Sequence, residues 1–357
     1  MEQTQCKAGR WAICGLLGLV MALGVFAGQP LQAGQVTPLL TAVKVKVPPT
    51  LDGRGNDAAW KGAKALQVPV TGGTIGSITV TLKAVYTPQE IYLLAQWPDK
   101  TMTIQHEPWI FTGSAWEYHE GEGPFEDRFA IQWDISAANF PLVGCMILCH
   151  AGAAYPDKKP RMHTNAPGEF TDEWHWKAAR SNPLGYVDDK YVDSTEDPKD
   201  DEAGHHADGG TRVYTRNKPL DGAPSFMWKG ATPAIPPTVT ADVAKLFLLD
   251  SDKAPIGPTN PLTGKPWEPG DTIPHSVLQT PTESNADIRA YGAWKDGVWT
   301  LEMRRALDPK GNAAKGDKKI DVVFDPAKTY HFGISVFDNT EAMGHSFSGP
   351  LALKFKK

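Results

Sequence analysis

Residues 78–97 have the sequence ITVTLKAVYTPQEIYLLAQW, which predicts a β-hairpin. Residues 78–86 alternate between apolar and polar side chains, as expected for a strand with one buried face. The apolar members on that face are Val80, Leu82, Ala84 and Tyr86. A turn at residues 87–89 leads into a second strand-forming stretch at residues 90–97. This hairpin indicates an antiparallel β fold.

Further stretches of the same kind follow the hairpin along the chain, most of them towards the C-terminus. They are residues 127–134 (DRFAIQWD), residues 286–294 and 298–305 around a Lys-Asp-Gly turn, residues 330–338 (YHFGISVFD) and residues 350–355. Many short strands separated by turn residues favour an antiparallel β-sandwich or barrel over alternating strands and helices. We therefore expect a mainly β chain with one β-sandwich domain over residues 34–357.

The middle of the chain does not follow this rhythm, and we expect a long loop-rich insertion at about residues 144–281. An acid-rich stretch at residues 186–210 predicts a solvated loop, so we expect His205 and His206 to be exposed. Proline-rich residues 257–274 lead to the same expectation for His275.

Composition excludes several classes of protein. The 357 residues carry 36 Lys and Arg against 41 Asp and Glu, a formal net charge of -5. A general nucleic-acid binder needs a basic surface to displace counterions, so we expect no nucleic-acid partner. The four cysteines are too few for a fold built on disulfides.

The N-terminus has the pattern of a secretory signal peptide. Lys7 and Arg10 precede an uncharged apolar run at residues 11–28, and Leu31-Gln32-Ala33 offers a small residue at the cleavage point. We predict a signal peptide over residues 1–33, cleaved near Ala33, and a periplasmic protein with no membrane span afterwards. The alternative is a retained membrane anchor, because the run is about long enough to cross a bilayer. Cleavage would leave Cys145 and Cys149 as the remaining cysteines.

Those two cysteines form the sharpest motif of the chain, Cys145-Met-Ile-Leu-Cys149-His150. A c-type haem needs two thiols to attack its two vinyl groups and an adjacent imidazole to ligate the iron. The usual spacer has two residues, and this one has three. In a helical turn, positions i and i+4 share a face, so both sulfurs would lie on one side. The motif predicts one covalent haem c, with His150 as the proximal iron ligand.

Two other interpretations of the motif remain open from the residues alone. Export to an oxidising compartment makes a Cys145–Cys149 disulfide plausible. A zinc site is a weaker alternative, because there is no second cysteine pair.

A low-spin haem needs a second axial ligand and a surrounding pocket. The main candidates for the distal ligand are His106, His119, Met162, His163, His175, His205, His206, His275, His331, Met343 and His345. Trp133, Trp174 and Trp176 are candidates for packing on the porphyrin, with ordinary core packing as the alternative. Arg161, Lys177 and Arg180 are candidates for neutralising a propionate, with surface roles as the alternative.

Several segments, in their order along the chain, resemble the haem-binding domain family related to ethylbenzene dehydrogenase. They are Leu51-Asp52-Gly53 with Trp60, VYTPQEIYLLAQWPD, DRFAIQW, NAPGEFTDEWHWKAAR and FGISVFDN with GHSFSGPLAL. The resemblance covers nearly all of the chain after residue 33, apart from the acid-rich and proline-rich stretches. It implies a β-sandwich like that of a family 9 carbohydrate-binding module or a DOMON-like domain, holding one haem at its edge.

The resemblance also bears on the iron ligands and on the partners. The family's subunit type binds haem b through a methionine after the DRFAIQW-like strand and a lysine near the C-terminus. This sequence has the Cys145–Cys149–His150 motif at the first position and His345 at the second. That correspondence makes His345 our first choice for the distal ligand, followed by His175 and His163, with Met343 as a further candidate. The family includes cytochrome subunits of periplasmic molybdenum dehydrogenases.

We therefore expect an exported monohaem c-type cytochrome that carries electrons between redox proteins, which could include a molybdoenzyme or another cytochrome. It would be an electron-transfer protein or a subunit of a redox complex, not an enzyme itself. The alternative is a non-haem β-sandwich module that binds carbohydrate or another ligand and contains a Cys145–Cys149 disulfide. A haem enzyme is a third hypothesis, which would need an open position on the iron.

Overall fold

The computed structural model describes residues 36–196, 203–218, 222–309 and 320–356, and these form mainly β-structure. The α-helices and 3-10 helices are short: α1 (Ala58–Lys61), α2 (Phe140–Val143), and 3-10 turns at Gly144–Leu148, Gly152–Ala154, Asn182–Leu184, Ala241–Leu246, Asp250–Asp252, Glu283–Ala286 and Ala342–Gly344. The strands of the first half are β1 (Leu39–Lys44), β2 (Leu66–Val70), β3 (Ile78–Tyr86), β4 (Glu90–Pro98), β5 (Trp109–Phe111), β6 (Trp116–Glu117), β7 (Arg128–Asp134), β8 (Cys149–His150), β9 (Arg161–Met162), β10 (Thr171–Lys177), β11 (Asp188–Val192), β12 (His205–Ala207) and β13 (Tyr214–Arg216). The others are β14 (Phe226–Trp228), β15 (Leu248–Leu249), β16 (Lys253–Pro255), β17 (Thr259–Asn260), β18 (Lys265–Pro266), β19 (Thr272–Ile273), β20 (Ser276–Leu278), β21 (Arg289–Lys295), β22 (Val298–Ala306), β23 (Thr329–Phe337), β24 (Ser346–Phe347) and β25 (Leu351–Lys356).

A 13-stranded sheet forms the frame, with the order β12-β11-β10-β7-β23-β25-β1-β3-β4-β22-β21, while β2 pairs with β3 and β24 pairs with β23. Its pairings are antiparallel except where β1 runs parallel to β25 and β3. The predicted hairpins are present as β3–β4 and β21–β22. The mainly β architecture predicted from residue alternation is confirmed.

The large sheet folds back on itself, so that β7, β10 and β23 pack against β4 and β22 across one aromatic core. Trp97 stacks on Phe129 with 5.2 Å between ring centres, and Trp176 meets the edge of Trp299 at 5.1 Å. Tyr186, just before β11, bridges to Arg289 at the start of β21, which brings the two ends of the sheet together. These contacts bury large apolar side chains between two β layers, as in a sandwich.

The region predicted as a loop-rich insertion contributes strands to the large sheet and also forms most of the smaller sheets. Within residues 144–281, β10, β11 and β12 belong to the large sheet. The smaller sheets are β13-β20-β15, β14-β16, β17-β18, β8-β9 and β19-β5-β6. A second apolar cluster around Trp109, Trp228 and Trp267 holds several of these small sheets together.

The acid-rich stretch is not a solvated loop in the part that the structure describes, and this expectation was wrong. Asp188 and Asp189 are fully buried in β11, where Lys177 forms an ion pair with Asp188. His205 and His206 are half-buried rather than exposed. His275 is also buried, because its ring stacks on Tyr118 with 5.1 Å between centres.

Among the described residues, no helix is long and apolar enough to cross a membrane. The apolar run at residues 11–28 and the predicted cleavage point near Ala33 lie outside the described residues.

Candidate functional site

A cavity of about 420 Å³ lies on the outer face of β7, β10 and β23 and contains both cysteines of the motif. Alternate residues of these strands line it, because successive side chains of a strand point to opposite faces. They are Arg128, Ala130 and Gln132 from β7, Glu173, His175 and Lys177 from β10, and Ser335 and Phe337 from β23. The residues between them face the aromatic core. Strand alternation therefore separates the cavity from the core.

Cys145 lies in the 3-10 turn at Gly144–Leu148 and is buried against β23. Gly333 leaves space for it, since a Cβ atom at that position would lie 3.1 Å from the Cys145 Sγ. Burial raises the pKa of the Cys145 thiol to about 12. The thiol is therefore neutral at neutral pH.

Cys149 follows the 3-10 turn and is exposed on the open side of the cavity. Its thiol is nevertheless surrounded by protein, which raises its pKa to about 11. The two thiols are not bonded to each other. The pair therefore presents two neutral sulfur atoms to one cavity.

His150 lies outside this cavity lining. Cys149 is extended rather than helical, and β8 pairs with β9 through Cys149 and His150, so the two side chains point to opposite sides. The His150 ring stacks on His163 with 3.8 Å between centres and 2° between planes. Its Nε2 donates a hydrogen bond to the His163 carbonyl at 3.1 Å, because a carbonyl only accepts. The predicted helical turn thus ends at Leu148.

His163, one of the predicted distal ligands, is buried and uses both ring nitrogens. Its Nδ1 donates to the Thr164 carbonyl at 2.8 Å, and Tyr155 donates its hydroxyl to Nε2 at 2.6 Å. It is not among the residues that line the cavity. The structure therefore gives His163 a supporting position behind His150.

His345, the first choice for the distal ligand, lines the cavity together with Met343. The 3-10 turn at Ala342–Gly344 and strand β24 position these residues. The His345 ring lies 4.9 Å from Phe337, and Met343 is 59% exposed. The cysteines, His345 and Met343 therefore share one cavity.

Glu173, His175 and His205 form a cluster on the strand-lined wall of the same cavity. The Nδ1 of His175 is 3.0 Å from Glu173 Oε1, and the Nε2 of His205 is 2.5 Å from Glu173 Oε2. Burial lowers the pKa of His175 to about 3, so its imidazole is neutral. Although burial acts in the other direction, His205 and His175 hold the pKa of Glu173 well below its ordinary range. The Nε2 of His175 is buried without a hydrogen-bond partner among the described residues.

The sequence predicts an exposed His205, because acid-rich stretches are usually solvated. The signal that could have found it is the period-2 spacing of Glu173 and His175 on a strand. That spacing places both polar side chains on one face of the strand. Buried polar groups need hydrogen-bond partners, which a neighbouring segment would have to supply.

Cationic side chains line much of the cavity, namely Arg128, Lys159, Arg161, Lys177, Arg180 and Lys190. Several are fixed by ion pairs: Arg161 with Asp157 at 3.0 Å, Lys177 with Asp188, and Arg180 with Glu126. The Tyr214 hydroxyl lies 3.1 Å from the Lys177 Nζ. This side of the cavity is suited to an anionic ligand group.

The predicted contact between a haem and Trp133, Trp174 or Trp176 does not agree with their positions. All three are fully buried in the sandwich core, and Trp133 packs on Phe332 with 4.7 Å between ring centres. Each sits one residue away from a cavity-facing side chain, so strand alternation turns it to the core face. Core packing, the alternative considered for these tryptophans, is what the structure contains.

The fold and cavity define a β-sandwich chain with a thiol-bearing pocket on its outer face. A family model described as ethylbenzene dehydrogenase matches residues 57–346, and the chain belongs to that family. A search of curated proteins finds no match.

Among solved structures, the chain is similar to a family 9 carbohydrate-binding module from Caldicellulosiruptor kristjanssonii in complex with cellotriose. The identity is 7%, the alignment covers 89% of this chain and 93% of that chain, and the TM-score is 0.34. It is also similar to a putative carbohydrate-binding protein from Bacteroides uniformis, at 9% identity over 90% of this chain and 100% of that chain, with a TM-score of 0.33.

Proposed function

We propose that this protein is an exported, periplasmic monohaem c-type cytochrome that carries electrons between respiratory partners. The observation that carries the proposal is the meeting of Cys145, Cys149 and His345 in one cavity of about 420 Å³. Cofactor pockets commonly have volumes of about 300–1,000 Å³. Membership of the ethylbenzene dehydrogenase family is compatible with a redox role beside a molybdoenzyme.

The residues present fit a covalently held haem. Attachment adds each thiol across one vinyl group, so that a carbon–sulfur bond forms and the thiol hydrogen moves to the neighbouring carbon. The neutral thiols of Cys145 and Cys149 are in the protonation state that this addition balances. Arg128, Arg161 and Lys159 are suited to the carboxylates of the propionates.

The proximal role of His150 requires a local rearrangement. Its ring would have to leave His163 and give up the hydrogen bond to the His163 carbonyl. Strand β8 has two residues and, among the described strands, pairs with β9 alone, so few backbone contacts oppose this change. We therefore propose that the backbone of residues 149–150 rotates when the cofactor is attached.

For the distal position we propose His345, with His175 as the alternative. Both line the cavity, whereas His163 does not. The contact between His175 Nδ1 and Glu173 leaves its Nε2 as the atom able to coordinate iron, an arrangement common among histidine ligands.

A bound haem supplies a one-electron couple between ferric and ferrous iron. The chain's own part is to hold the cofactor, balance its charge and leave one side accessible. Cys149 and Met343 are exposed on the open side of the cavity, where a partner could approach. We propose a molybdenum oxidoreductase or another cytochrome as that partner.

The experiment is a pyridine haemochrome spectrum of the full chain, exported in a host that matures c-type cytochromes. We expect one haem per chain, retained after acid–acetone extraction, with both vinyl groups saturated. The matched control is the Cys145→Ala/Cys149→Ala double variant, which should export without covalent haem. A wild-type chain without haem, and with a mass two hydrogens lower, would instead support the disulfide-containing binding module.

A further inference from the structure

A group of carboxylates lies on the core side of β10 and β11, across the sheet from the cavity. Asp172 lies one residue before Glu173 on β10 and therefore faces the opposite side, as does Asp189 on β11. Asp208, Asp287 and Asp321 approach the same point from neighbouring segments, as their mutual electrostatic interactions indicate. All are buried except Asp287, which is half-buried. We call these five residues the aspartate cluster.

Within the part of the chain that the structure describes, the cluster has more negative than positive groups. Arg305 is fully buried and contacts Asp172 at 2.8 Å and Asp321 at 3.5 Å. Among the described residues, Arg305 is the cation that forms ion pairs with these carboxylates. Over the described ranges, one guanidinium in ion-pair contact with a cluster of five carboxyls leaves an excess of negative charge. Buried charge of this size needs either protons or a bound cation.

The orientation of Asp172 indicates that its second oxygen serves another purpose. Its Oδ2 accepts hydrogen bonds from Arg305 at 2.8 Å, the Val322 amide at 2.9 Å and Trp174 Nε1 at 3.2 Å. Its Oδ1 is buried without a hydrogen-bond partner among the described residues. Three hydrogen-bond donors on Oδ2 fix the orientation of the carboxylate and thereby the position of Oδ1. Carboxylates that bind metal ions are commonly oriented by hydrogen bonds in the same way.

Asp189 supplies a second, independent sign of a missing ligand. It is fully buried, and neither of its oxygens has a hydrogen-bond donor among the described residues. One ligand oxygen each from Asp172, Asp189 and Asp321 lie within 4.8 Å of one another. A fully buried carboxyl group that faces two others is stabilised either by a shared proton or by a cation at their centre.

We propose that the aspartate cluster binds one Ca²⁺ ion, with Asp172, Asp189 and Asp321 as its central ligands. Oxygen-only coordination excludes the metals that prefer sulfur or imidazole. Ca²⁺ accepts about six to eight oxygens in irregular geometry, whereas Mg²⁺ demands a near-ideal octahedron. The ion would join β10, β11 and the segments bearing Asp208, Asp287 and Asp321, so its role is to stabilise the sandwich. This inference does not depend on the haem.

The test is calcium content by mass spectrometry, together with thermal unfolding of the full chain in EGTA, CaCl₂ or MgCl₂. We expect one Ca²⁺ per chain and an unfolding midpoint that EGTA lowers by several degrees and CaCl₂, but not MgCl₂, restores. Asp189→Asn should weaken Ca²⁺ binding roughly tenfold or more. In EGTA the same variant should be no less stable than the wild type, because it removes a buried negative charge.

The control is Asp338→Asn, in a separate acidic group with Asp99 and Asp127, which should keep the full response to calcium. Should Asp189→Asn fail to fold, Asp287→Asn in the half-buried member offers the same measurements. Protein without calcium, with a midpoint unmoved by CaCl₂, would overturn the proposal. Loss of the response in Asp338→Asn, with its retention in Asp189→Asn, would also overturn it.

Discussion

The imidazole rings of His150 and His163 lie parallel, with 3.8 Å between their centres. The stack, together with the hydrogen bond from His150 Nε2 to the His163 carbonyl, holds the proposed proximal ligand away from the cysteine cavity. Burial, and to a smaller extent the neighbouring His163, lowers the pKa of His150. The ring is therefore predisposed to the neutral form that iron ligation requires.

We predict that His150→Ala converts the haem from low spin to high spin or prevents its attachment, because the iron loses an axial ligand. His163→Phe keeps an aromatic ring behind position 150 and should retain the low-spin spectrum. Absorption and electron paramagnetic resonance spectra of the two variants are the measurement. Loss of the low-spin signal in His163→Phe alone would contradict this assignment.

The distal ligand is tested by His345→Ala and His345→Met. The alanine variant should lose the low-spin spectrum, and the methionine variant should keep it with a higher reduction potential, since a thioether favours ferrous iron. Met343→Ala is the matched control and should change neither property. An unchanged spectrum in His345→Ala would transfer the role to His175, whose variant is then the next to measure.

Gly333 is predicted to be a packing determinant of the attachment site. In Gly333→Ala the new Cβ would meet the Cys145 Sγ at 3.1 Å, with the Cys145 backbone nitrogen at 3.4 Å. We expect a loss of roughly 1–3 kcal/mol in the free energy of unfolding and a lower haem content. Gly349→Ala serves as the control, since no atom lies within 4 Å of its added Cβ. Equal haem content in the two variants would argue against the close approach of Cys145 to β23.

Asp127 is predicted to make stability depend on pH. Burial raises its pKa to about 8, although its carboxylate accepts hydrogen bonds from the Thr103 amide at 2.7 Å and Trp299 Nε1 at 3.1 Å. Since the folded pKa exceeds the unfolded value, its contribution is fully present below about pH 4 and is lost as pH rises through about 8. The slope is at most about 1.4 kcal/mol per pH unit for this one group.

Chemical denaturation of Asp127→Asn at several pH values checks this prediction. In the wild type, the free energy of unfolding should decline between about pH 4 and 8, partly because of Asp127. In the variant, this decline should be smaller by the contribution of one carboxyl group. Asp134, whose pKa burial raises to about 6, titrates in part of the same window, so Asp134→Asn is the comparison. A wild-type slope in Asp127→Asn throughout the window would show that Asp127 ionises normally.

Residue alternation in β3, strand-forming side chains in the other arms, and the turn residues between them predicted the hairpins β3–β4 and β21–β22. The same alternation, applied to β7 and β10, separates Trp133 and Trp174 from the cavity. Aromatic composition alone does not carry this information, since it does not say which face of a strand a ring occupies.

Two other features could not be predicted from local sequence. The spacing of Cys145 and Cys149 predicts a shared side only while the turn stays helical, and it ends at Leu148. The burial of Asp188 and Asp189 depends on Lys177, Arg305 and other residues far away in the chain. Acidic density alone therefore predicted a loop where the structure has a strand.

A pyridine haemochrome spectrum shows whether the chain carries covalent haem and how many thioether bonds hold it. We expect one haem per wild-type chain, joined through two thioether bonds and absent from the Cys145→Ala/Cys149→Ala variant. A wild-type chain exported without haem, or with haem that acid–acetone removes, would contradict it.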